Sequence, residues 1–220
     1  MEHSFWHNKW DLNQVGFHLD YVHPILQRNL KLLEVKPLEV KKVFVPLCGK
    51  TLDIGYLLEQ GYDVVAVELS EIAISTVFQQ LGLEPEILSW SHGKIYKGDR
   101  LTIYVGDFFA LTQQDLGELT CVYDRAALIA LPEDMRLQYA QHIAFITQQA
   151  PQLLITLDYD QTIAGGPPFA VATQEVEALY AETYTLKLLE EADIIEQEPR
   201  FKAKGLPNFY QRGYHLIAKA

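Results

Sequence analysis

The chain has 220 residues and a mass of 25.1 kDa, which at about 150 residues per domain fits one large domain or a domain with an appendage. Half of it is apolar (49%) and a fifth is charged (21%), which excludes a largely disordered protein. The net charge of −11 disfavours nucleic acid and anionic membranes as partners and favours small molecules.

The first forty residues read as a helical appendage. They hold Trp6 and Trp10, four apart and so on one helical face, and the apolar stripe Ile25, Leu26, Leu30 and Leu33 before Pro37. The aromatic pair either packs the appendage down or forms a lid that excludes water. His3 and His7 also share a face, but they lack the glutamate of HExxH, and no metal is expected there.

From Lys41 onward the pattern is strand, turn, helix, repeated. Val43 to Leu47 is a short β-branched run, Leu52 to Gln60 a helix closed by Gly61, and Asp63 to Leu69 a second buried strand. Ser70 can cap a helix with Ala73, Ile74, Val77, Phe78 and Leu81 on one face, ended by Gly82. Lys94–Tyr96 and Leu101–Val105 flank a four-residue turn and form a hairpin. Cys121–Asp124 is a strand, Pro132 opens a helix, Leu153–Asp158 is a fifth core strand, and a helix spans about Gln174–Glu182. Thr185–Leu189 and Tyr210–Ala218 can pair antiparallel at the end.

This alternation implies a parallel sheet covered on both faces, which binds ligands beyond the carboxyl ends of its strands. Those ends carry Leu47-Cys48-Gly49, Glu68, Gly106-Asp107, Asp124-Arg125 and Asp158-Tyr159-Asp160. Gly49 lets backbone approach a ligand at a helix start. Gly49-Lys50-Thr51 lacks the first glycine of a P-loop, Phe44 standing in its place, and GxGxxG is absent, so a ligand without a pyrophosphate is favoured. Glu68, nineteen residues after Gly49, stands where an acidic side chain accepts ribose hydroxyls. Asp107 can meet an adenine amine while Phe108 packs on its ring, although the phenylalanine suits a core equally. Arg125 is either half of a structural ion pair or a donor to an anionic substrate. Gly165-Gly166-Pro167-Pro168-Phe169 forms a pocket wall or a plain turn. Cys48 and Cys121 form no CxxC, no signal peptide or membrane span is apparent, and a monomer in the cytoplasm is expected.

Six ordered segments together carry a family resemblance: Phe5-Trp6 through Trp10 with Gly16-Phe17-His18, VPLCGK at 45–50, VELSE at 67–71, GDFFAL at 106–111, YDRAALIALP at 123–132 and GPPF at 166–169. With them the chain resembles the bacterial members of the thiopurine S-methyltransferase family over nearly its whole length. The resemblance implies a class I, Rossmann-like α/β fold: a seven-stranded, mostly parallel sheet with an antiparallel last pair, in one domain of an α/β core (41–220) and a lid (1–40). It implies S-adenosylmethionine as cofactor and a small-molecule aromatic or heterocyclic thiol as acceptor. By motif, Trp10, Leu47, Glu68, Asp107, Phe108 and Arg125 would meet the cofactor, Phe17 and Arg200 the substrate, and Arg125, oriented by Asp124, the reacting sulfur. Tellurium or selenium species, small anions, or noncatalytic binding of S-adenosylmethionine stay as alternatives. A nicotinamide-dependent oxidoreductase is disfavoured by the missing GxGxxG.

Overall fold

The computed structural model describes residues 3–12, 18–34 and 41–219. Two short helices come first, α1 (His3–Asp11) and α2 (Pro24–Asn29). Pro24 presets the first turn of α2, and the ring Nδ1 of His23 accepts from the Ile25 N–H at 3.2 Å to cap it. The α/β pattern then runs β1 (Lys42–Val45), α3 (Asp53–Glu59), β2 (Asp63–Glu68) and α4 (Glu71–Leu81). Ser70 accepts from the Ala73 N–H to start α4, and Gly82 ends it in the left-handed conformation, φ 65°.

Strands β3 (Glu86–Trp90), β4 (Gly93–Gly98) and β5 (Leu101–Gly106) form an antiparallel meander. Next come α5 (Gln113–Leu116), β6 (Cys121–Arg125), α6 (Glu133–Ile146), β7 (Gln152–Asp158) and α7 (Thr173–Tyr180). The chain closes with β8 (Tyr184–Asp193), α8 (Pro199–Lys202) and β9 (Tyr210–Ala218).

All nine strands join one sheet in the order β3-β4-β5-β2-β1-β6-β7-β9-β8. The five central strands, from β5 to β7, are parallel, and β9 runs antiparallel to both β7 and β8. The expected seven strands are therefore present as β5-β2-β1-β6-β7-β9-β8, and among the described residues β3 and β4 correct the count to nine at one edge. Glu86–Trp90 escaped a strand reading because it has no buried face and hence no period-two alternation.

Alternation along each central strand sends side chains to two cores. Phe44, Val65, Val67, Tyr104, Val122 and Leu154 pack under α6 and α7. Val43, Val64, Ala66, Ile103, Tyr123 and Ile155 pack against α2, α3 and α4. The N-terminal helix α2 belongs to this second layer. A bulge in β8 between Leu188 and Glu190 turns Glu190 toward α2, where it accepts from Arg28 Nε at 3.1 Å and from Asn29 Nδ2 at 2.5 Å. Beside it Gly213 of β9 leaves room for Ile25, whose Cγ2 would lie 2.9 Å from an added Cβ.

Gly213→Val should therefore push α2 off the sheet and cost about 1–3 kcal/mol of stability through overpacking. Urea denaturation of the variant checks this, and Ile25→Ala in the Gly213→Val background should recover part of the loss.

Candidate active site

The carboxyl ends of the parallel strands open into a cleft of about 400 Å³. It runs from Asp107 after β5, past Glu68 and Leu47–Thr51, to Arg125, Leu157 and Gln211. That path crosses five strand spacings of about 4.8 Å each, long enough for two ligands end to end. The volume lies within the usual range for small-molecule sites, roughly 300–1,000 Å³.

One end is polar at its floor. Glu68 ends β2 with its carboxylate buried, accepting from the Gly49 N–H at 2.9 Å and the Ser70 N–H at 3.0 Å. Burial pushes its pKa above the usual carboxylate value, while these donors, the Leu69 N–H and the Trp10 side chain hold it down. The Trp10 bond brings α1 over the strand ends and buries the indole. The opposing turn is shaped by Leu47 and Gly49, both left-handed, with φ of 43° and 53°. For leucine that conformation is uncommon, and strained backbone of this kind gathers at ligand sites. Asp107 lines the cleft and accepts from the Phe109 N–H at 2.9 Å. Phe108 reaches the cleft, but most of its ring is in the core against Tyr139, 4.8 Å between centroids.

The other end is largely apolar. Phe201 and Phe209 line it, packed on each other at 4.4 Å, and Tyr159 stacks on Phe209 from behind at 4.9 Å. Pro167 and Pro168 form a wall, held by the Tyr159 hydroxyl donating to the Pro168 carbonyl. Arg125, Arg200, Lys50 and His18 all face this cleft. Burial lowers the pKa of His18, and the charges of Lys50 and Arg125 add to the effect. Phe17 lies outside the described residues.

Asp124 requires a correction. As a strand residue it points opposite to its neighbours, so Tyr123 packs in the layer of α2 and Arg125 lines the cleft while Asp124 faces α6. Its Oδ2 accepts from the Tyr139 hydroxyl at 2.8 Å and its Oδ1 from the Leu128 N–H at 3.3 Å. It therefore cannot orient Arg125. It holds instead the turn that follows β6, in which Ala126 is left-handed, φ 64°.

A sequence profile of the thiopurine S-methyltransferase family matches residues 1–219. The chain belongs to the thiopurine S-methyltransferase family. Proteins named thiopurine S-methyltransferase from Pseudomonas fluorescens SBW25 and Teredinibacter turnerae are 44% identical over all of both chains and 45% identical over 86% of this chain and 87% of the relative. The fold also matches a SAM-dependent methyltransferase of Anabaena variabilis, with a TM-score of 0.61 at 11% identity, covering 99% of this chain and 95% of that one. A Burkholderia thailandensis 1,6-didemethyltoxoflavin N1-methyltransferase, solved with its acceptor and S-adenosylhomocysteine, matches with a TM-score of 0.61 at 16% identity over 98% of this chain and 87% of that one. The protein is a methyltransferase enzyme of this family.

Its site also contains a buried network that sequence reading missed. Asp53 accepts from the His23 N–H at 2.8 Å, the Thr51 hydroxyl at 3.0 Å and the Tyr123 hydroxyl at 2.9 Å, joining appendage, first turn and β6 beneath the cleft. The readable signal was His-Pro ahead of an apolar helix, with Thr-x-Asp after the glycine turn. His23 itself is buried, and burial followed by the charge of Arg125 lowers its pKa to about 4. Asp124 shows the reverse, raised by burial to about 6.

These two groups should oppose each other in the pH dependence of stability. Asp124 binds its proton more tightly when folded, so its contribution falls as pH rises from 3.8 to about 6. His23 binds its proton less tightly when folded, so its contribution rises with pH from about 4 to 6.5. Relative to the parent, His23→Gln should lose stability as pH rises from 4 to 6 and Asp124→Asn should gain it over the same rise, as read by urea denaturation at each pH.

Proposed function

We propose that the cleft binds S-adenosylmethionine at its Glu68 end and a planar aromatic or heterocyclic thiol at its Phe201 end, and that the protein methylates the sulfur. The observation that carries this reading is the division of one continuous cleft into a polar floor at Glu68 and an aromatic wall at the other end. The residues present suit the cofactor. Glu68 places a buried carboxylate at the end of β2, where an acidic side chain accepts from ribose hydroxyls in α/β nucleotide sites. Asp107 and the edge of Phe108 offer a polar and an apolar contact to a purine, Leu47 to Gly49 bring backbone close, and Trp10 covers the site. When bound, the cofactor supplies a methyl group already activated by a sulfonium.

The chain's own residues then have mainly to align and to exclude water. Arg125, at the end of β6 midway along the cleft, offers planar donors to an anionic sulfur. Arg200 contributes to the acceptor side, and α1, through Trp6 and Trp10, covers the cleft as part of one domain with the core. No dedicated base is needed for a thiol that arrives ionised. The aromatic wall favours a ring over a small tellurium, selenium or other inorganic anion. Among the described residues no helix is long and apolar enough to cross a membrane. A monomer acting in the cytoplasm completes the reading.

Purified protein incubated with labelled S-adenosylmethionine and a panel of thiols, selenols and oxyanions should label aromatic thiols foremost, and labelling of oxyanions alone would overturn the acceptor assignment. Glu68→Ala should weaken binding of S-adenosylhomocysteine by about 1.5–3 kcal/mol, roughly 10- to 150-fold, in calorimetry on a folded variant. Arg125→Met should move the rise of the pH–rate curve for an aromatic thiol upward, because the acceptor loses a cation that favours its thiolate, whereas Arg125→Lys should keep part of the rate.

A further inference from the structure

One carboxylate at the acceptor end is left unused by that activity. Glu198 stands between the turn Ile195–Gln197 and α8, on the segment that carries the aromatic wall. Its N–H donates to the Ile195 carbonyl at 3.2 Å, and its carbonyl accepts from the Phe201 and Lys202 N–H groups, each at 3.0 Å, so its backbone is fixed. Its half-buried side chain lines the cleft with Gln197, Arg200 and Phe201. The other acidic side chains at or beneath the cleft, Glu68, Asp53, Asp107 and Asp124, each accept from N–H or O–H groups of the protein. No described residue donates to the Glu198 carboxylate, and the side chain that carries it lines the cleft. Burial raises its pKa, and the charge of Arg200 partly offsets this.

We propose that Glu198 recognises the ring N–H of a heterocyclic thione and takes that proton as the sulfur is methylated. This rests on the methyltransferase reading above and narrows its acceptor class. A thiol on a carbon next to a ring nitrogen exists largely as the thione, with the proton on nitrogen. Such an acceptor is neutral, and its S-methylated product is neutral only if the N–H proton leaves. The electrons balance: the C=S π pair forms the S–CH3 bond, the N–H pair becomes the ring C=N π bond, and the methyl–sulfonium bond breaks with its pair left on the departing sulfur. The proton ends on the Glu198 carboxylate, so the positive charge of the sulfonium and the negative charge of Glu198 disappear together. A carboxylate in a partly dry, aromatic setting is a better proton acceptor than one in water, and a charged acceptor strengthens the N–H bond that positions the ring. Arylthiols without a ring N–H have no use for this group.

The test compares 2-mercaptopyrimidine, a thione with a ring N–H, against thiophenol, which has none, in the parent, Glu198→Gln and Glu198→Ala proteins. The ratio of kcat/KM for the thione to that for thiophenol should fall at least tenfold in both variants. Glu198→Gln, which accepts a hydrogen bond but takes no proton, should keep a KM for the thione nearer the parent's and lose mainly kcat. Absorbance titration of the thione, with S-adenosylhomocysteine present, should show at least tenfold weaker binding to Glu198→Ala. Melting temperature and affinity for S-adenosylhomocysteine report on fold and cofactor site independently. An unchanged ratio, or an equal loss for both acceptors, overturns the role of Glu198 and leaves the methyltransferase reading standing. A folded parent that binds S-adenosylhomocysteine yet methylates neither acceptor overturns both.

Discussion

A carboxylate carried into the interior at the end of a buried strand must be surrounded by donors, because an uncompensated charge in a dry setting costs several kcal/mol or more. Glu68 meets that demand with backbone from two separate segments, the turn after β1 and the cap of α4, and with the indole of α1. Three elements far apart in sequence are thereby fixed around one oxygen pair. The left-handed Leu47 and Gly49 lie in the turn that presents the Gly49 N–H to Glu68.

The second organising fact is the period of two. In β6 three consecutive residues serve three purposes because alternation separates them: Tyr123 bonds Asp53 below the appendage, Asp124 bonds Tyr139 under α6, and Arg125 reaches the cleft. Two buried acids, Asp53 and Asp124, thus sit on opposite faces of one sheet and anchor opposite layers. Their environments differ in kind, since Asp53 accepts from three donors drawn from three segments while Asp124 relies on one hydroxyl and the turn that follows it.

Much of this could be read from residues alone. The β-branched runs, Ser70 and Gly82 as helix limits, and the acidic end of β2 are local signals that tertiary structure had no reason to override. Glu86–Trp90 carried no such signal, because an edge strand exposed on both faces has no apolar alternation. The pairing of Asp124 with Arg125 misled because adjacency in sequence is opposition in a strand. The Asp53 network was harder to read for a different reason: it joins side chains from distant segments, and His-Pro and Thr-x-Asp each mark only one part of it. Phe201 and Phe209 likewise look like ordinary core residues until the strands place them on one wall.

The position of β9 has a consequence for how the molecule is made. It is the last of the nine strands in chain order, yet it lies between β7 and β8, inside the sheet. During synthesis β8 emerges with no neighbour to pair with, and Glu190 has no route to α2, until the strand that joins them has left the ribosome. The aromatic wall of the cleft hangs from the same join, since Phe209 and Gln211 bracket the start of β9. A nascent chain can therefore form the β1, β2 and β5 end of the cleft early, but closure of the far end waits on a long-range contact, and topology of that kind folds slowly. Until then the exposed edge of β7 is the segment most in need of protection from pairing with a neighbouring chain.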